Sequence, residues 1–290
     1  MMRYLCLGIL LCGALNCPAQ RRKPVEVYLI GGQSNATGQG YLVNMRDSMR
    51  TDTSVLIFHS GRPHLNSGLR PLTWLPLHQA SESPDRFGPE LGFGTKLHQL
   101  RPGKSIAIIK HAHSGTDLYR QWNPGSGMRD TSEWGNQFKI FVQTVNAGMD
   151  SLRKLGYKPV IKGMLWQQGE NDADKGDTVS ALYGRHLKHF IGRVRQQFHS
   201  RQMLFVYGYV YPPPNTGKGI SQVRQAEHDV DQDSHTLLSV KRAFVVPTDD
   251  LSQRADDPHT PYPKDRLHFG TRGTWDLGIR MAEKVNDKLP

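Results

Sequence analysis

The sequence predicts an α/β protein in which helices cover both faces of a mostly parallel sheet. Short apolar runs rich in β-branched and aromatic residues alternate with longer amphipathic stretches along most of the chain. Most of the short runs are apolar almost throughout, which is typical of strands that are buried on both faces. We therefore expect a three-layer α/β/α sandwich with a flavodoxin-like central parallel sheet of about five strands.

The first half of the chain supplies three strand candidates and two helix candidates. Residues 25–30 read VEVYLI and run into two glycines, and residues 54–58 read SVLIF. A helix is expected at residues 88–100, where apolar residues recur at helical spacing. The run IAII at residues 106–109 predicts the next strand, and the amphipathic stretch 136–155 predicts the helix that follows it.

The second half repeats this alternation of strands and helices. Strands are expected where the chain reads VIKGMLW, MLFVYGYV and AFVV, at residues 160–166, 203–210 and 243–246. Amphipathic stretches predict helices at residues 178–198, 221–231 and 272–288.

Two segments that are rich in glycine and proline predict long loops. They cover residues 60–84 and 211–219. Long loops in compact domains often carry function, so both are candidate walls of a pocket, although surface excursions would look the same in the sequence.

Residues 1–19 have the pattern of a secretory signal peptide. Arg3 precedes an apolar stretch at residues 5–15, and Ala19 supplies a small residue for cleavage. The stretch is shorter than the roughly 20 residues that span a bilayer. A lipoprotein with Cys17 as the lipidated residue is the alternative, although the residues before Cys17 match that pattern poorly. We expect an exported protein, periplasmic or extracellular.

The cysteines limit the chemistry of the exported chain. Cys6, Cys12 and Cys17 all lie in the predicted signal peptide. Residues 20–290, which we expect to form a single domain, would therefore carry no disulfide, no thiolate metal site and no cysteine nucleophile. Such a chain relies on its hydrophobic core, for which it is long enough.

The chain is basic, with 37 Lys and Arg residues against 26 Asp and Glu residues and a formal net charge of +11. This excess would suit an anionic partner. The acidic residues are dispersed among the basic ones, however, and there is no arginine-rich arm or basic stripe interleaved with aromatic residues. We expect a solvated surface, no nucleic-acid partner and no obligate protein partner.

A candidate nucleophile follows the first predicted strand, in the segment Gly31-Gly32-Gln33-Ser34-Asn35. A strand that ends in glycines can turn sharply and present a small polar side chain at its carboxyl end, where open α/β sheets place their chemistry. Ser34 could serve as a nucleophile if a base and an orienting acid reach it. A serine after a strand, taken alone, more often caps the next helix.

Asp265 and His268 are the candidate partners of Ser34. Neutral imidazole can take the serine proton, while an aspartate on the other ring nitrogen fixes the tautomer. A spacing of three residues lets both side chains converge within one turn.

Two further polar segments follow predicted strands. Gly115 leaves a backbone N–H accessible, as an oxyanion hole requires. His111 and His113, just before it, could be a metal pair, but no third ligand is near in sequence, so we expect no metal. The second polar segment follows the predicted strand at residues 160–166 and reads Gln168-Gly169-Glu170-Asn171-Asp172. Side-chain amides there can donate to an oxyanion, and Glu170 or Asp172 can bind a hydroxyl, unless the segment is merely a capped turn.

Together these segments resemble the SGNH (GDSL-type) esterase superfamily. The closer resemblance is to its branch of sialate O-acetylesterases and acetyl xylan esterases, carbohydrate esterase family six. It rests on four matching motifs, namely Gly32-Gln33-Ser34-Asn35, Ser114-Gly115-Thr116, Trp166-Gln167-Gln168-Gly169-Glu170 and Asp265-Arg266-Leu267-His268-Phe269. The chain departs from the branch at Ser114, where glycine is usual.

The resemblance implies a role for each candidate residue. Ser34 would be the nucleophile, His268 the base and Asp265 its partner. The oxyanion donors would be the backbone N–H groups of Ser34 and Gly115 with a side-chain amide, for which Gln168 ranks before Asn171. The residues expected to bind substrate or orient the site are Gln33, Asn35 and Glu170.

The implied reaction is hydrolysis of an acetyl ester on a sugar, without a metal or cofactor. Sialic acid, xylan and other acetylated glycans remain possible substrates. A lipase or thioesterase of the same superfamily and a non-catalytic glycan-binding protein are the alternatives. The classical α/β-hydrolase elbow does not fit, because Ala36 stands where Gly-x-Ser-x-Gly ends.

Overall fold

The computed structural model describes residues 22–61, 70–127, 130–210 and 218–289. Its strands are β1 (Lys23–Gly32), β2 (Gly40–Tyr41), β3 (Leu56–His59), β4 (Leu75–Pro76), β5 (Arg86–Phe87), β6 (Ile106–Lys110), β7 (Tyr157–Gln167), β8 (Leu204–Gly208) and β9 (Ala243–Val246). Its α-helices are α1 (Ser34–Thr37), α2 (Glu90–Leu100), α3 (Asn136–Lys154), α4 (Glu170–Asp174), α5 (Asp177–Gln197), α6 (Lys218–Val230) and α7 (Thr271–Lys288).

The central sheet has seven strands in the order β4-β3-β6-β1-β7-β8-β9. Only the edge strand β4 runs antiparallel to its neighbour, and all other pairs are parallel. Five consecutive strands of the sheet have the flavodoxin-like order, namely β6, β1, β7, β8 and β9. In this order the first of the five strands in the chain, β1, lies between the second and the third. The α/β/α prediction is confirmed, and β3 and β4 extend the expected five-strand sheet at one edge.

The two faces of β1 bury different sets of helices. Val27 and Leu29 belong to one core cluster, which is completed by apolar residues of α3, α5 and α6. Tyr28 and Ile30 point the other way, into a second cluster with residues of α2 and α7. Because both faces are covered, the strands carry apolar residues at nearly every position.

The predicted elements agree with the structure to within a few residues at their ends. The short helices α1 and α4 had no sequence signal, because each is only about one turn long. They begin at Ser34 and Glu170, directly after the carboxyl ends of β1 and β7.

Several sequence predictions fall on residues outside the described ranges. These are the signal peptide at residues 1–19 with its three cysteines, and most of the loop at residues 211–219. Of the loop at residues 60–84, the structure describes 60–61 and 70–84, where β4 lies. Within the described ranges, no helix is both long and apolar enough to cross a membrane.

A buried ion pair lies behind the carboxyl edge of the sheet. Lys110, the last residue of β6, places its Nζ 2.5 Å from Glu90 Oε2 and 2.9 Å from the carbonyl oxygen of Thr37. Glu90 Oε1 accepts hydrogen bonds from the backbone N–H groups of Ala80 and Gly88. Burial lowers the pKa of Lys110, and the carboxylate of Glu90 opposes that shift. The pair thus ties β6 to both α1 and α2.

We expect Lys110→Met to lower the free energy of unfolding by about 3–5 kcal/mol, since it leaves Glu90 buried and unpaired. The double variant Lys110→Met/Glu90→Gln should recover much of that loss, because a neutral amide still accepts from the two backbone N–H groups. Urea unfolding of both variants measures this, with exposed Lys154→Met as the matched control. A double variant that is less stable than Lys110→Met would contradict the prediction.

Candidate active site

Ser34 is presented by a sharp turn at the carboxyl end of β1. Gly32 has φ +136°, and a Cβ on it would lie 2.1 Å from the carbonyl oxygen of Gln167. Any other residue would clash with the neighbouring strand, so glycine is required where β1 turns into α1. Ser34 is 5% exposed and lines a cavity at this edge.

The structure brings Ser34, His268 and Asp265 together in one chain of hydrogen bonds. Ser34 Oγ lies 2.9 Å from His268 Nε2, and His268 Nδ1 lies 2.8 Å from Asp265 Oδ2. With the proton on Nδ1, the imidazole donates to the carboxylate and accepts from the serine hydroxyl. This is the arrangement in which histidine can remove the serine proton.

Asp265 is held in its ionised form. Burial by itself would raise the pKa of Asp265, but the His268 side chain and the backbone N–H groups of Leu267 and His268 lower it to about 2. Both N–H groups donate to Asp265 Oδ1, at 3.1 and 3.2 Å. The carboxylate is therefore charged at neutral pH and oriented on both of its oxygens.

Arg254 is a neighbour of Asp265 that the sequence analysis missed. Its Nη1 lies 3.3 Å from Asp265 Oδ2, and its Nη2 donates to the hydroxyl of Tyr41 at 2.6 Å. The guanidinium also stacks on the ring of Tyr262, with the carbon atom 3.8 Å from the ring centroid. Arg254 is only 5% exposed, so its charge is paired with Asp265 inside the protein. No motif marks it, because its partners come from two separate segments, one with Tyr41 and one with Tyr262 and Asp265.

Asn35 orients the loop that carries His268. Its Nδ2 donates to Glu170 Oε1 at 2.8 Å and to the carbonyl oxygen of Leu267 at 3.3 Å. Its Oδ1 accepts from the backbone N–H of Phe269 at 3.0 Å. All of its amide contacts are with the protein, which favours orienting over substrate binding.

Gln33 orients the segment after β7. Its Oε1 accepts hydrogen bonds from Gln168 Nε2, from Gly169 N and from Asn171 N, all at 3.2–3.3 Å. These contacts fix the backbone of the segment against the turn that presents Ser34.

Gln168 points into the protein and does not line the cavity. It is 1% exposed, and its Nε2 donates to Asp172 Oδ2 at 2.6 Å and to the carbonyl oxygen of Thr116 at 3.1 Å, besides Gln33. Its Oε1 accepts from the Tyr183 hydroxyl at 3.2 Å. Asp172, one turn further along, therefore holds the amide that ranked first as an oxyanion donor.

Asn171 lies where Gln168 was expected. It lines the same cavity as Ser34, and its Nδ2 donates to the carbonyl oxygen of Gly115 at 3.0 Å. A primary amide has two N–H bonds, so the second is left for a ligand. The geometry thus favours Asn171 over Gln168, the reverse of the order expected from the sequence.

Two backbone N–H groups complete the set of donors. Neither Ser34 N nor Gly115 N has an acceptor among the described residues, and both residues line the cavity. Gly115 has φ +68°, while Ser114 beside it has a negative φ. Serine therefore fits the turn without strain, and its Oγ lies 3.1 Å from Thr37 Oγ1.

The cavity has a volume of about 500 Å³, and most of the residues that line it have polar side chains. Besides the residues above, its walls include Gln39, Glu82, Arg86, Asp174 and Leu267. Glu170 is 2% exposed, and within the described part of the chain its Oε2 has no hydrogen-bond partner. Burial raises the pKa of Glu170, against the hydrogen bond from Asn35. Of the three predicted binding or orienting residues, Gln33 and Glu170 line the cavity and Asn35 does not.

Neither His111 nor His113, the candidate metal pair, lines this cavity. His111 is 1% exposed, with Nδ1 2.8 Å from Ser60 Oγ and Nε2 2.9 Å from Gln137 Oε1. Its ring contacts Trp122, as a packed core histidine would. Among the residues that the structure describes, no three His, Cys, Asp or Glu side chains are grouped as metal ligands.

Comparison with known proteins gives a family match over nearly the whole chain. Residues 24–287 match the model of a family described as carbohydrate esterase, sialic acid-specific acetylesterase. A probable carbohydrate esterase of Arabidopsis thaliana is 24% identical over 271 residues, which are 90% of this chain and 90% of that protein.

Solved structures share the fold. A protein of Arabidopsis thaliana aligns over 92% of this chain and 100% of its own, with a TM-score of 0.66 and 20% identity. NanS aligns over 92% of this chain and 98% of its own, with a TM-score of 0.66 and 17% identity. A carbohydrate acetylesterase of Xanthomonas citri aligns over 88% and 54%, with a TM-score of 0.59 and 16% identity.

The family match spans the strand before Ser34, all the segments around the cavity and the final helix. The resemblance that the four motifs carry is thereby confirmed. The chain belongs to the carbohydrate esterase family of sialic acid-specific acetylesterases, and it is a serine esterase.

Proposed function

We propose that this protein removes acetyl groups from sugars, with Ser34 as the nucleophile, His268 as the general base and Asp265 as its partner. The observation that carries the proposal is the unbroken series of hydrogen bonds from Ser34 Oγ through His268 to Asp265. A serine hydroxyl is a weak nucleophile until an oriented base takes its proton.

The reaction proceeds in two halves. Ser34 Oγ attacks the acetyl carbonyl carbon while its proton passes to His268, and a tetrahedral oxyanion forms. The intermediate collapses to acetyl-Ser34, and the sugar oxygen leaves with the proton from His268. Water, deprotonated by His268, then attacks the acetyl-serine, and acetate and free Ser34 are released. No step needs a metal or cofactor.

The oxyanion is stabilised by Ser34 N, Gly115 N and the side-chain amide of Asn171. The support is their position on one cavity, with hydrogen atoms that no described acceptor occupies. Preorganised donors of this kind supply much of the rate enhancement of acyl transfer. Gln168 serves instead as a support for the segment that carries Asn171.

A sugar ester fits the cavity better than a lipid ester. Its walls carry charged and amide side chains, and Leu267 is the only aliphatic side chain among the described residues that line it. A long acyl chain would bury polar groups there without partners, at a cost. The unpartnered Oε2 of Glu170 suits a sugar hydroxyl. The family description makes an O-acetylated sialic acid the first ester to assay. The resemblance of the motifs to acetyl xylan esterases makes acetylated xylan the second.

We also propose that residues 1–19 direct export and are removed. The support is the charged start, the apolar stretch and the small residue Ala19. An acetylesterase outside the cytoplasm would meet polymeric glycans directly.

Ser34→Ala should abolish acetate release from p-nitrophenyl acetate and from acetylated sugars, because no acyl-enzyme can form. The exposed Ser48→Ala, which lies away from the cavity, is the matched control and should keep the wild-type rate. Mass spectrometry after brief reaction should find one acetyl group on Ser34. Activity that persists in Ser34→Ala would overturn the nucleophile assignment.

Asn171→Ala should lower kcat by about 10²–10³, the usual effect of losing one oxyanion donor. Gln168→Ala should instead lower the unfolding midpoint, because it leaves buried partners unsatisfied. Steady-state kinetics and thermal unfolding of both variants separate the two roles. The opposite pattern, with a stable but inactive Gln168→Ala, would restore Gln168 as the donor.

Asp265→Asn should lower kcat by about 10⁴, since an amide does not hold the required tautomer of His268. Steady-state kinetics of the variant measures this.

The free energy of unfolding of the wild-type protein should also depend on pH through the ionisation of Asp265. The folded pKa of about 2 is below the ordinary value of 3.8, so the carboxylate stabilises the fold above about pH 4 and loses that effect as pH falls towards 2. Urea unfolding should therefore show the advantage of wild type over Asp265→Asn shrinking between pH 4 and 2. An advantage that grows on acidification would contradict this assignment.

A further inference from the structure

Two adjoining cavities lie at the amino ends of the strands, opposite the catalytic edge. One has a volume of about 830 Å³ and lies against the start of β7, the end of α5 and the turn that precedes β8. The other, of about 560 Å³, runs along α5. They share Arg195, Gln196 and Arg201 and therefore adjoin each other, and we name the two together the basal groove.

The basal groove is strongly basic. Among the described residues that line it there is no aspartate or glutamate. Its lysine and arginine residues are Lys162, Lys188, Arg193, Arg195, Arg201 and Arg242. Two histidines also line it. Like charges gathered without carboxylates repel one another, and an anion relieves that repulsion.

Two of the arginines are fixed in place by uncharged oxygen atoms. Arg195 donates to the carbonyl oxygens of Met203, Lys241 and Arg242 at 2.9–3.1 Å. Arg193 donates in the same way to carbonyl oxygens of the segment at residues 124–127. Burial, with the charge of Arg242, lowers the pKa of Arg195 to about 10, so it remains a cation at neutral pH. These contacts orient the guanidinium groups but leave their charge uncompensated.

The rim of the basal groove has an unusual backbone. His199 and Arg242 both adopt the left-handed region, with φ +50° and +62°. Non-glycine residues in this conformation carry strain, and such strain concentrates at functional segments. At Arg242 it accompanies a side chain whose Nε donates to the carbonyl oxygen of Gln202 at 2.8 Å.

We propose that the basal groove binds an anionic polysaccharide, one with carboxylate or sulfate groups along the chain. Arginine forms paired hydrogen bonds with such groups. A concave groove suits a flexible chain better than a flat membrane. No Phe, Tyr or Trp side chain is among its described lining residues, so it lacks the large rings on which the bases of single-stranded nucleic acid usually stack. Membership of a carbohydrate esterase family favours a glycan as the polyanion.

The test measures binding by the Ser34→Ala protein, so that hydrolysis does not interfere. The probes are polygalacturonate and heparin, with neutral dextran as the uncharged comparison. Titration calorimetry at low and moderate salt measures their binding. We expect binding of a polyanion that weakens steeply as salt rises and no binding of dextran. This outcome is independent of the proposed esterase activity, which the acetate assay on wild type decides.

Variants locate the site. Lys162→Gln/Arg201→Gln should weaken polyanion binding by roughly tenfold or more, since two charges of the groove are lost. Arg46→Ala/Arg50→Ala removes the same net charge from exposed residues that line neither cavity, and it should bind as the parent does. Circular dichroism checks folding, and Arg242→Asn, which tolerates the left-handed backbone, is the second variant if the first is unfolded.

Three results would overturn the proposal. One is the absence of polyanion binding at low salt. Another is equal weakening in the Arg46→Ala/Arg50→Ala control, which would reduce the effect to overall charge. The third is tighter binding to an oligonucleotide or to phosphatidylserine vesicles than to either polysaccharide, which would assign the groove to another class of partner.

Discussion

The side chain of Asn35 joins the two parts of the chain that carry Ser34 and His268, the proposed nucleophile and base. It donates to the carbonyl oxygen of Leu267 and accepts from the N–H of Phe269, on either side of His268. Its remaining contact, with Glu170, reaches the segment after β7. Residues that are 234 positions apart in sequence thus lie within hydrogen-bond distance. The rest of the site depends on this amide, because His268 can accept the proton of Ser34 only when its ring is held within hydrogen-bond distance of Ser34 Oγ.

Charge is divided between the two ends of the sheet. The carboxyl edge gathers carboxylates, of which Asp265 is paired with Arg254 while Glu170 keeps one oxygen atom unpartnered among the described residues. The amino edge gathers the lysines and arginines of the basal groove. A polyanion at the amino edge would therefore not be repelled by the carboxylates of the cavity, and the proposed sugar substrate would meet hydrogen-bond acceptors at the carboxyl edge.

Most of the fold and the three residues of the hydrogen-bonded chain could be predicted from the sequence, because each depends on a local pattern. Apolar runs and helical spacing give the elements, and glycines before Ser34 give the turn. The choice between Gln168 and Asn171 could not be predicted in this way. It depends on Asp172 and Thr116, which take the hydrogen atoms of Gln168 and leave Asn171 at the cavity. Arg254 was missed for a similar reason, since its guanidinium is held by Tyr41, which is 213 positions away in sequence.

The sequence by itself determined the alternation of strands and helices, the family, and the identity of Ser34, Asp265 and His268 as candidates. Each of these features depends on a local pattern of neighbouring residues. Only the tertiary structure decided that β3 and β4 extend the sheet beyond β6, and which amide faces the cavity. It also decided that cations which are dispersed in the sequence gather in one groove. Each of these depends on distances between remote residues, and such distances are set by packing.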